Sequence, residues 1–361
     1  MHSIYHVITT ICRGGAENQL LVLSREQILS GNKVTIIPLK GKPELKEEFE
    51  QIGCHVVLDL VGQSPIKQIY LLRKMMSTKT HFIHAHLPRA ELICSVSKRQ
   101  NPFFITRHNA EPFFPGAPKL LSNLLSRFVG MRANAGIAIS EAVRHFVLDQ
   151  GEIKEDFPIE TIYYGLNNEF DSKVDTLGNA ELNFKGKHFV IGTVARIAYQ
   201  KDFPTLLRSF KLISEKISNA ILIVLGDGPL LVQMQNMCSE LGIQDKVSWL
   251  GRKSDIHLYM KLFDVFILTS KYEGFGLVLL EAMQSKIPII ASDNSAIPEV
   301  LGENFPGLVS TGDFSQFADK ACELRDQKIR ENFLVLQKDR LEIFSSTIMA
   351  KKIQNLYDFY A

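Results

Sequence analysis

The sequence predicts an α/β protein built of two doubly wound domains, each a parallel sheet layered with helices. Three observations predict it. Short apolar runs of strand length alternate with longer amphipathic stretches almost from end to end, which marks βαβ units whose strands are buried on both faces. A polar, glycine-containing stretch without periodicity, residues 171–188, interrupts the series, which then restarts. The 361-residue length suits two domains at about 100–200 residues each.

Taken in order, residues 4–10 form a strand, 17–30 a helix and 33–39 a second strand, with Gly31 and Asn32 as the turn between them. Strands at 55–60, 82–85, 103–106 and 135–139 continue the series. Ser140 opens the next helix as its N-cap, because a short hydroxyl side chain satisfies the first free backbone N–H groups. After the interruption, 189–195 is a strand, 203–217 a helix, 220–225 a strand and 230–241 a helix, and 247–250, 265–269 and 287–291 follow as strands. The expected boundaries are 1–170 for the first domain, 171–188 for a linker and 189–340 for the second domain. A C-terminal helix over 341–361 is placed to pack back on the first domain. In open α/β sheets ligands bind beyond the carboxyl ends of the strands, so the strand-to-helix loops carry the chemistry.

Composition removes several classes. With 45% hydrophobic and 22% charged residues the chain is globular. Its net charge of +2 excludes a dedicated nucleic-acid binder. Charge is unevenly spread: residues 1–132 carry 17 Lys+Arg against 9 Asp+Glu, and the remainder 24 against 30. A basic first third suits a surface that meets phosphate or an anionic membrane face. Cys12, Cys54, Cys94, Cys238 and Cys322 are scattered without a CxxC pair, as in a cytoplasmic protein with reduced thiols and no zinc site. No charged leader with an apolar stretch opens the sequence, and the longest apolar runs, such as 220–225, are far short of a membrane span.

Three loops stand out. Arg13-Gly14-Gly15-Ala16-Glu17 joins the first strand to the first helix; it either brings backbone and helix N-terminus against a phosphate or is a tight turn. Arg196 ends the strand containing Gly192-Thr193-Val194-Ala195, and Lys201 follows before the helix. Two cations at a strand's carboxyl end either flank a diphosphate or are solvated surface charges. The third loop, Lys271-Tyr272-Glu273-Gly274-Phe275-Gly276-Leu277-Val278-Leu279-Leu280-Glu281-Ala282-Met283, sets two carboxylates around a Gly-Phe-Gly turn. Gly274 and Gly276 free backbone N–H groups for phosphate oxygens. Glu281 falls inside an apolar helical run, where a carboxylate is costly without donors such as ribose hydroxyls; the alternative is one exposed helix face.

The Glu273–Glu281 segment resembles the Glu-x7-Glu signature of family-4 glycosyltransferases, retaining enzymes of the GT-B fold whose two Rossmann-like domains face each other across a cleft. Supporting pieces stand in the family's order: Arg13 to Glu17, Val194 to Lys201, Gly226-Asp227-Gly228-Pro229-Leu230, Gly251-Arg252 and Pro288 to Val300. The resemblance spans essentially the whole chain. It implies that Arg196 and Lys201 clamp the donor's diphosphate, that Glu281 hydrogen-bonds the ribose and that Glu273 holds the transferred sugar. It further implies that the backbone of Phe275, Gly276, Leu277 and Val278 meets phosphate and sugar, that Gly251 and Arg252 cradle the nucleobase, and that Gly14 and Gly15 lie under the diphosphate from the first, acceptor-side domain. His108 resembles the family's first-domain histidine near the reacting centre, the alternative being a loop-stabilising role. Glu17, Asn18 and Arg107 are the acceptor-side candidates, Arg107 facing an acceptor phosphate or standing as a surface charge. The sequence departs from the family at Tyr163-Tyr164-Gly165-Leu166-Asn167, where many members have Asn before the glycine and Asp at the end.

His84 and His86 alternate at strand spacing, but no third ligand has fitting spacing, and no Asp-x-Asp occurs; neither metal nor cofactor is expected. Leu120, Leu121, Leu124, Leu125 and Phe128 share one helical face bordered by Lys119, Arg127 and Arg132, with Phe103-Phe104 and Phe113-Phe114 nearby. Such a helix either buries its leucines in the domain or rests on an anionic leaflet. The expected protein is a cytoplasmic transferase, peripheral on the inner membrane face, that moves a sugar from a nucleotide diphosphate, UDP above others. Its acceptor is a hydroxyl on a glycan or lipid-linked substrate in bacterial surface polysaccharide synthesis. The alternatives are a nucleotide-sugar epimerase of the same fold and a non-catalytic nucleotide-sugar binding subunit.

Overall fold

The computed structural model describes residues 2–76, 81–166, 188–253 and 255–361. The chain divides into two compact units, one of Met1–Glu169 with Phe344–Ala361 and one of Phe170–Ile343. Apart from His188, the expected linker lies outside the described residues, as does Asn167.

The first unit runs β1 (Ser3–Ile8), α1 (Gly15–Leu29), β2 (Lys33–Pro38), α2 (Lys46–Gln51), β3 (His55–Val56), α3 (Pro65–Met75), β4 (His81–His86), α4 (Pro88–Ser97), β5 (Phe103–Arg107), α5 (Lys119–Arg132), β6 (Ala135–Ala138), α6 (Glu141–Asp149) and β7 (Ile159–Thr161). The strands form one parallel sheet in the order β3-β2-β1-β4-β5-β6-β7. Its apolar runs are buried on both faces: Ile4, Val7, Ile8, Ile36, Ile37, Ile83, Phe103 and Ile105 expose none of their surface. Ser140 caps α6 as expected, its hydroxyl accepting from Val143 N–H at 3.0 Å.

The second unit runs β8 (Phe189–Val194), α7 (Phe203–Lys216), β9 (Ala220–Leu225), α8 (Leu231–Glu240), β10 (Val247–Gly251), α9 (Ile256–Met260), β11 (Val265–Leu268), α10 (Leu277–Gln284), β12 (Ile289–Ser292), α11 (Ile297–Leu301), β13 (Leu308–Val309), α12 (Phe314–Glu323) and α13 (Gln327–Leu341). Its parallel sheet has the order β10-β9-β8-β11-β12-β13. The last helix, α14 (Ser346–Phe359), belongs to the first unit. It packs on α1, Ser346 Oγ donating to Glu26 Oε1 at 2.7 Å, and buries Tyr357 completely beside Phe82 and Phe104.

Each sheet reverses its strand order once, between β1 and β4 in the first unit and between β8 and β11 in the second. Loops leaving the carboxyl ends of these two pairs diverge to opposite faces and leave a crevice, where doubly wound sheets bind ligands. Departures from expectation are local. The strand expected over 55–60 shrinks to His55–Val56 because the chain turns at Asp59–Leu60. The edge strands β7 and β13 went unread, being too short to display a period. Phe103, Phe104 and Phe113, near α5 in sequence, are core residues exposing at most 1%.

Candidate functional site

In the second unit the reversal gathers the expected donor residues. Arg196 follows β8 and is exposed, its guanidinium without a hydrogen-bond or ion-pair partner among the described residues. Lys201 closes the short 3-10 turn after it. Beyond β11, Glu273 is 5% exposed and accepts from Lys201 Nζ at 2.5 Å and from Ser270 Oγ at 2.6 Å. In this structure the charge of Lys201 is matched by Glu273, which compensates the burial of both groups. The pair is held from both sides. Thr269 Oγ1 donates to the carbonyls of Lys201 and Asp202, and Ser295 Oγ to the carbonyl of Glu273.

Phe275 plugs the turn with its ring buried, and Gly276 opens α10 in the left-handed region at φ +85. No side chain caps this helix, so the N–H groups of Leu277 and Val278 have no protein acceptor among the described residues. Glu281 lies partly buried two turns on, its carboxylate without a partner among the described residues. Desolvation pushes its carboxyl up to about 7. Gly251 sits at the end of β10, where its carbonyl accepts from Gly226 N–H at 2.8 Å; Arg252 beside it is exposed. Gly226 is held so close to Ala195 that a Cβ there would stand 1.9 Å from its carbonyl oxygen. The loops after β8, β9 and β10 therefore interlock at backbone distance.

Four non-glycine residues among those described have left-handed backbones: Leu87, Asp202, Lys286 and Ser295. Leu87 follows His86, Asp202 follows Lys201 and Ser295 bonds Glu273. Such strain persists where surrounding structure over-determines a site.

In the first unit α1 starts at Gly15 without a side-chain cap. Glu17 turns back towards Gly14, so that a Cβ on that glycine would lie 2.5 Å from Glu17 Oε2, and it accepts from Thr10 Oγ1 at 2.7 Å. Asn18 is exposed one position on. Arg107 is corrected: it is neither a surface charge nor free for an acceptor phosphate. It is 5% exposed, ion-paired with Glu91 at 3.1 Å and Glu152 at 3.5 Å, donates to Ser126 Oγ at 2.8 Å, and its guanidinium lies 4.4 Å from the Phe113 ring centre.

His108 is 8% exposed, and both ring nitrogens are engaged, Nε2 with His86 Nδ1 at 3.1 Å and Nδ1 with the Tyr164 hydroxyl. Burial lowers its pKa to about 3. The missing third histidine is also found: β1 carries His6 beside His84 and His86, which sequence spacing could not reveal because the two strands are 78 residues apart. All six ring nitrogens of this trio are hydrogen-bonded, to Gln27, Tyr357, Thr106, His108 and one another. A metal would have to break those bonds, so the donor set does not fit one. A cavity of about 20 Å³ beside His108 and Tyr164 has room for a single water and none for a sugar.

Comparison with known proteins gives a consistent result. Residues 177–333 match the family described as Glycosyl transferases group 1, and residues 13–170 the one described as Glycosyltransferase Family 4. The chain is 27% identical over 382 residues to the capsular polysaccharide biosynthesis glycosyltransferase CapM of Staphylococcus aureus, across 99% of this chain and 97% of that one. It is 26% identical over 183 residues to the Escherichia coli UDP-Gal:alpha-D-GlcNAc-diphosphoundecaprenol alpha-1,3-galactosyltransferase, covering 50% of this chain and 47% of the relative. The crystal structure of Anabaena Alr3699/HepE in complex with UDP and glucose shares the fold, with a TM-score of 0.82 at 18% identity over 99% of this chain and 100% of that one.

Proposed function

The chain is a glycosyltransferase of family 4 with the GT-B fold of two parallel-sheet α/β domains, and from that premise we propose that it transfers a sugar from a UDP donor to a hydroxyl acceptor, with retention, in bacterial surface polysaccharide or lipid-linked glycan synthesis. One observation carries the donor reading. A half-buried, unpartnered carboxylate, an exposed arginine, the open N–H groups of a helix start and a buried Lys–Glu pair all lie in the loops after β8 and β11 or in the helix that follows them. Glu281 takes the ribose hydroxyls, whose donors compensate its desolvation. Arg196, the N–H groups of Leu277 and Val278 and the cation of Lys201 meet the diphosphate and stabilise it as it leaves. Lys201 and Glu273 act as one unit: when the cation turns to phosphate, the carboxylate is released to the hydroxyls of the transferred sugar. The negative charge of the leaving diphosphate is then offset by side chains and helix N–H groups, with no metal ion. The transition state has oxocarbenium character, and departure of the diphosphate is the step these groups favour. The named relatives support a UDP-sugar and a lipid-linked or glycan acceptor.

We also propose peripheral membrane association through α5. That helix buries Ser122, Ser126, Val129 and Gly130 and turns Leu120, Leu121, Leu124 and Met131 outward, each at least half exposed, with Lys119, Arg127 and Arg132 around them. An outward leucine face ringed by cations complements an anionic leaflet. No helix among the described residues is long and apolar enough to cross a membrane.

A donor panel tests the reading. Purified protein is given each common sugar nucleotide, with and without membrane extract and with EDTA, and nucleotide release and product mass are followed. Release with one UDP-sugar, only with extract and unaffected by EDTA, is expected. An isomerised sugar nucleotide without acceptor would instead mark an epimerase, and tight binding without turnover a binding subunit.

A further inference from the structure

The two carboxylate oxygens of Glu273 are used unequally. Oε1 accepts from Lys201 Nζ at 2.5 Å and from Ser270 Oγ at 2.6 Å. Oε2 meets no donor among the described residues and is not sealed from the surface. The backbone behind the side chain is held as well, Ser295 Oγ lying 2.8 Å from the Glu273 carbonyl oxygen. A carboxylate paired with lysine and a backbone carbonyl only accept, so both serine hydroxyls donate.

The two serines come from neighbouring strands of the sheet. Ser270 lies two residues past β11 and exposes none of its surface, and Ser295 lies in the short loop from β12 to α11. The backbone of Ser295 is left-handed, at φ +54, a conformation that glycine takes freely and serine does not. Glycine there would relax the backbone and lose the hydroxyl that grips Glu273.

The last torsion of a glutamate side chain is broad, so a carboxylate keeps its orientation only while something holds it. Lys201 does not hold it throughout, because the cation turns to the diphosphate when the donor binds. What then remains on Oε1 is Ser270, sealed from solvent so that water does not replace it.

We infer that Ser270 and Ser295 are positioning residues for the transfer: they keep Oε1 anchored and the Glu273 backbone fixed after Lys201 has turned away, which leaves Oε2 to accept from a hydroxyl of the sugar being moved. The inference rests on the proposed role of Glu273 in holding that sugar. It sets the contribution of both serines after donor binding, in the rate of transfer and not in nucleotide affinity.

Full-length native protein, Ser270→Ala, Ser295→Gly, Ser295→Asn and Glu273→Ala are compared in UDP affinity by calorimetry and in transfer from a UDP-sugar with membrane extract as acceptor. Ser270→Ala and Ser295→Gly should bind UDP within about twofold of native, while their rate at saturating donor falls about tenfold or more. Ser295→Gly should melt within about 4 °C of native, relief of the backbone offsetting the lost hydrogen bond; a serine with only a structural role would, on that change, leave the rate untouched. Ser295→Asn, which tolerates the same backbone and keeps a donor, should recover most of the rate. A native rate in Ser270→Ala or Ser295→Gly overturns the inference. So does a loss of rate matched by an equal loss of UDP affinity, or a Ser295→Asn protein no faster than Ser295→Gly. Should Ser270→Ala not fold, the two Ser295 variants decide. Native transfer by Glu273→Ala overturns the role of Glu273 and the inference with it, whereas an inactive Glu273→Ala beside serine variants of native rate overturns the inference alone.

Discussion

Glu281 shows how a single side chain joins stability to function. Unfolded, it ionises near 4.5; folded, burial pushes it up to about 7. Between those values the folded chain holds a proton that the unfolded chain releases, so this residue's contribution to stability declines as pH rises through about 7. Glu281→Gln removes the dependence. Calorimetry without nucleotide should find the variant little different from the native protein at pH 5 and more stable at pH 8 by about 1–3 kcal/mol, while its UDP affinity falls at both. Arg107 makes the opposite case. Nothing in its sequence neighbourhood distinguishes it from a surface cation, because its partners Glu91 and Glu152 arrive from α4 and from the turn after α6. Removing it strands two buried carboxylates, and Glu91 is already raised to about 7 by desolvation. Urea unfolding of Arg107→Ala should show a loss of about 3–5 kcal/mol; a loss below about 1 kcal/mol would return Arg107 to the surface.

At the scale of elements, the turn into α10 and the face of α5 carry the argument. Gly276 starts α10 at φ +85, and a Cβ there would stand 3.0 Å from Leu279 Cδ1. Gly276→Ala therefore strains the turn by about 1–2 kcal/mol and tilts the N–H groups that are to meet phosphate. Its UDP affinity should fall further than its thermal stability does. For α5, a period of 3.6 identified which residues share a face but not which face is buried, since serine and glycine pack against a domain as well as leucine does. The structure buries the small residues and exposes Leu120, Leu121 and Leu124. Leu120→Gln, Leu121→Gln and Leu124→Gln together should leave the unfolding midpoint within about 1 kcal/mol of native. They should also weaken sedimentation with vesicles containing anionic lipid by about tenfold or more. Unchanged vesicle binding would remove α5 as the membrane contact.

At the scale of the whole molecule, what the sequence displayed follows from chain order. Strands and helices were legible because their periods are local, and the two sheets followed from the alternation, confirmed in the orders β3-β2-β1-β4-β5-β6-β7 and β10-β9-β8-β11-β12-β13. The donor loops were legible for the same reason, since Arg196 to Lys201 and Glu273 to Glu281 are continuous segments. Side-chain partnerships between separate elements were not. Lys201 with Glu273, Arg107 with Glu91, and His108 with Tyr164 each join residues that no local spacing connects. The basic surplus of residues 1–132 falls in the unit that carries α5, which makes vesicle binding sensitive to salt.

Two carboxylates in the second unit divide the labour, and comparing UDP binding and sugar transfer in Glu273→Ala and Glu281→Ala separates their roles. Glu281→Ala should weaken UDP binding about tenfold, as the loss of a charged hydrogen bond does. Glu273→Ala, which frees Lys201 for the diphosphate, should bind UDP as well as or better than the native protein yet transfer no sugar. Native turnover by Glu273→Ala, or native UDP affinity in Glu281→Ala, would contradict this division.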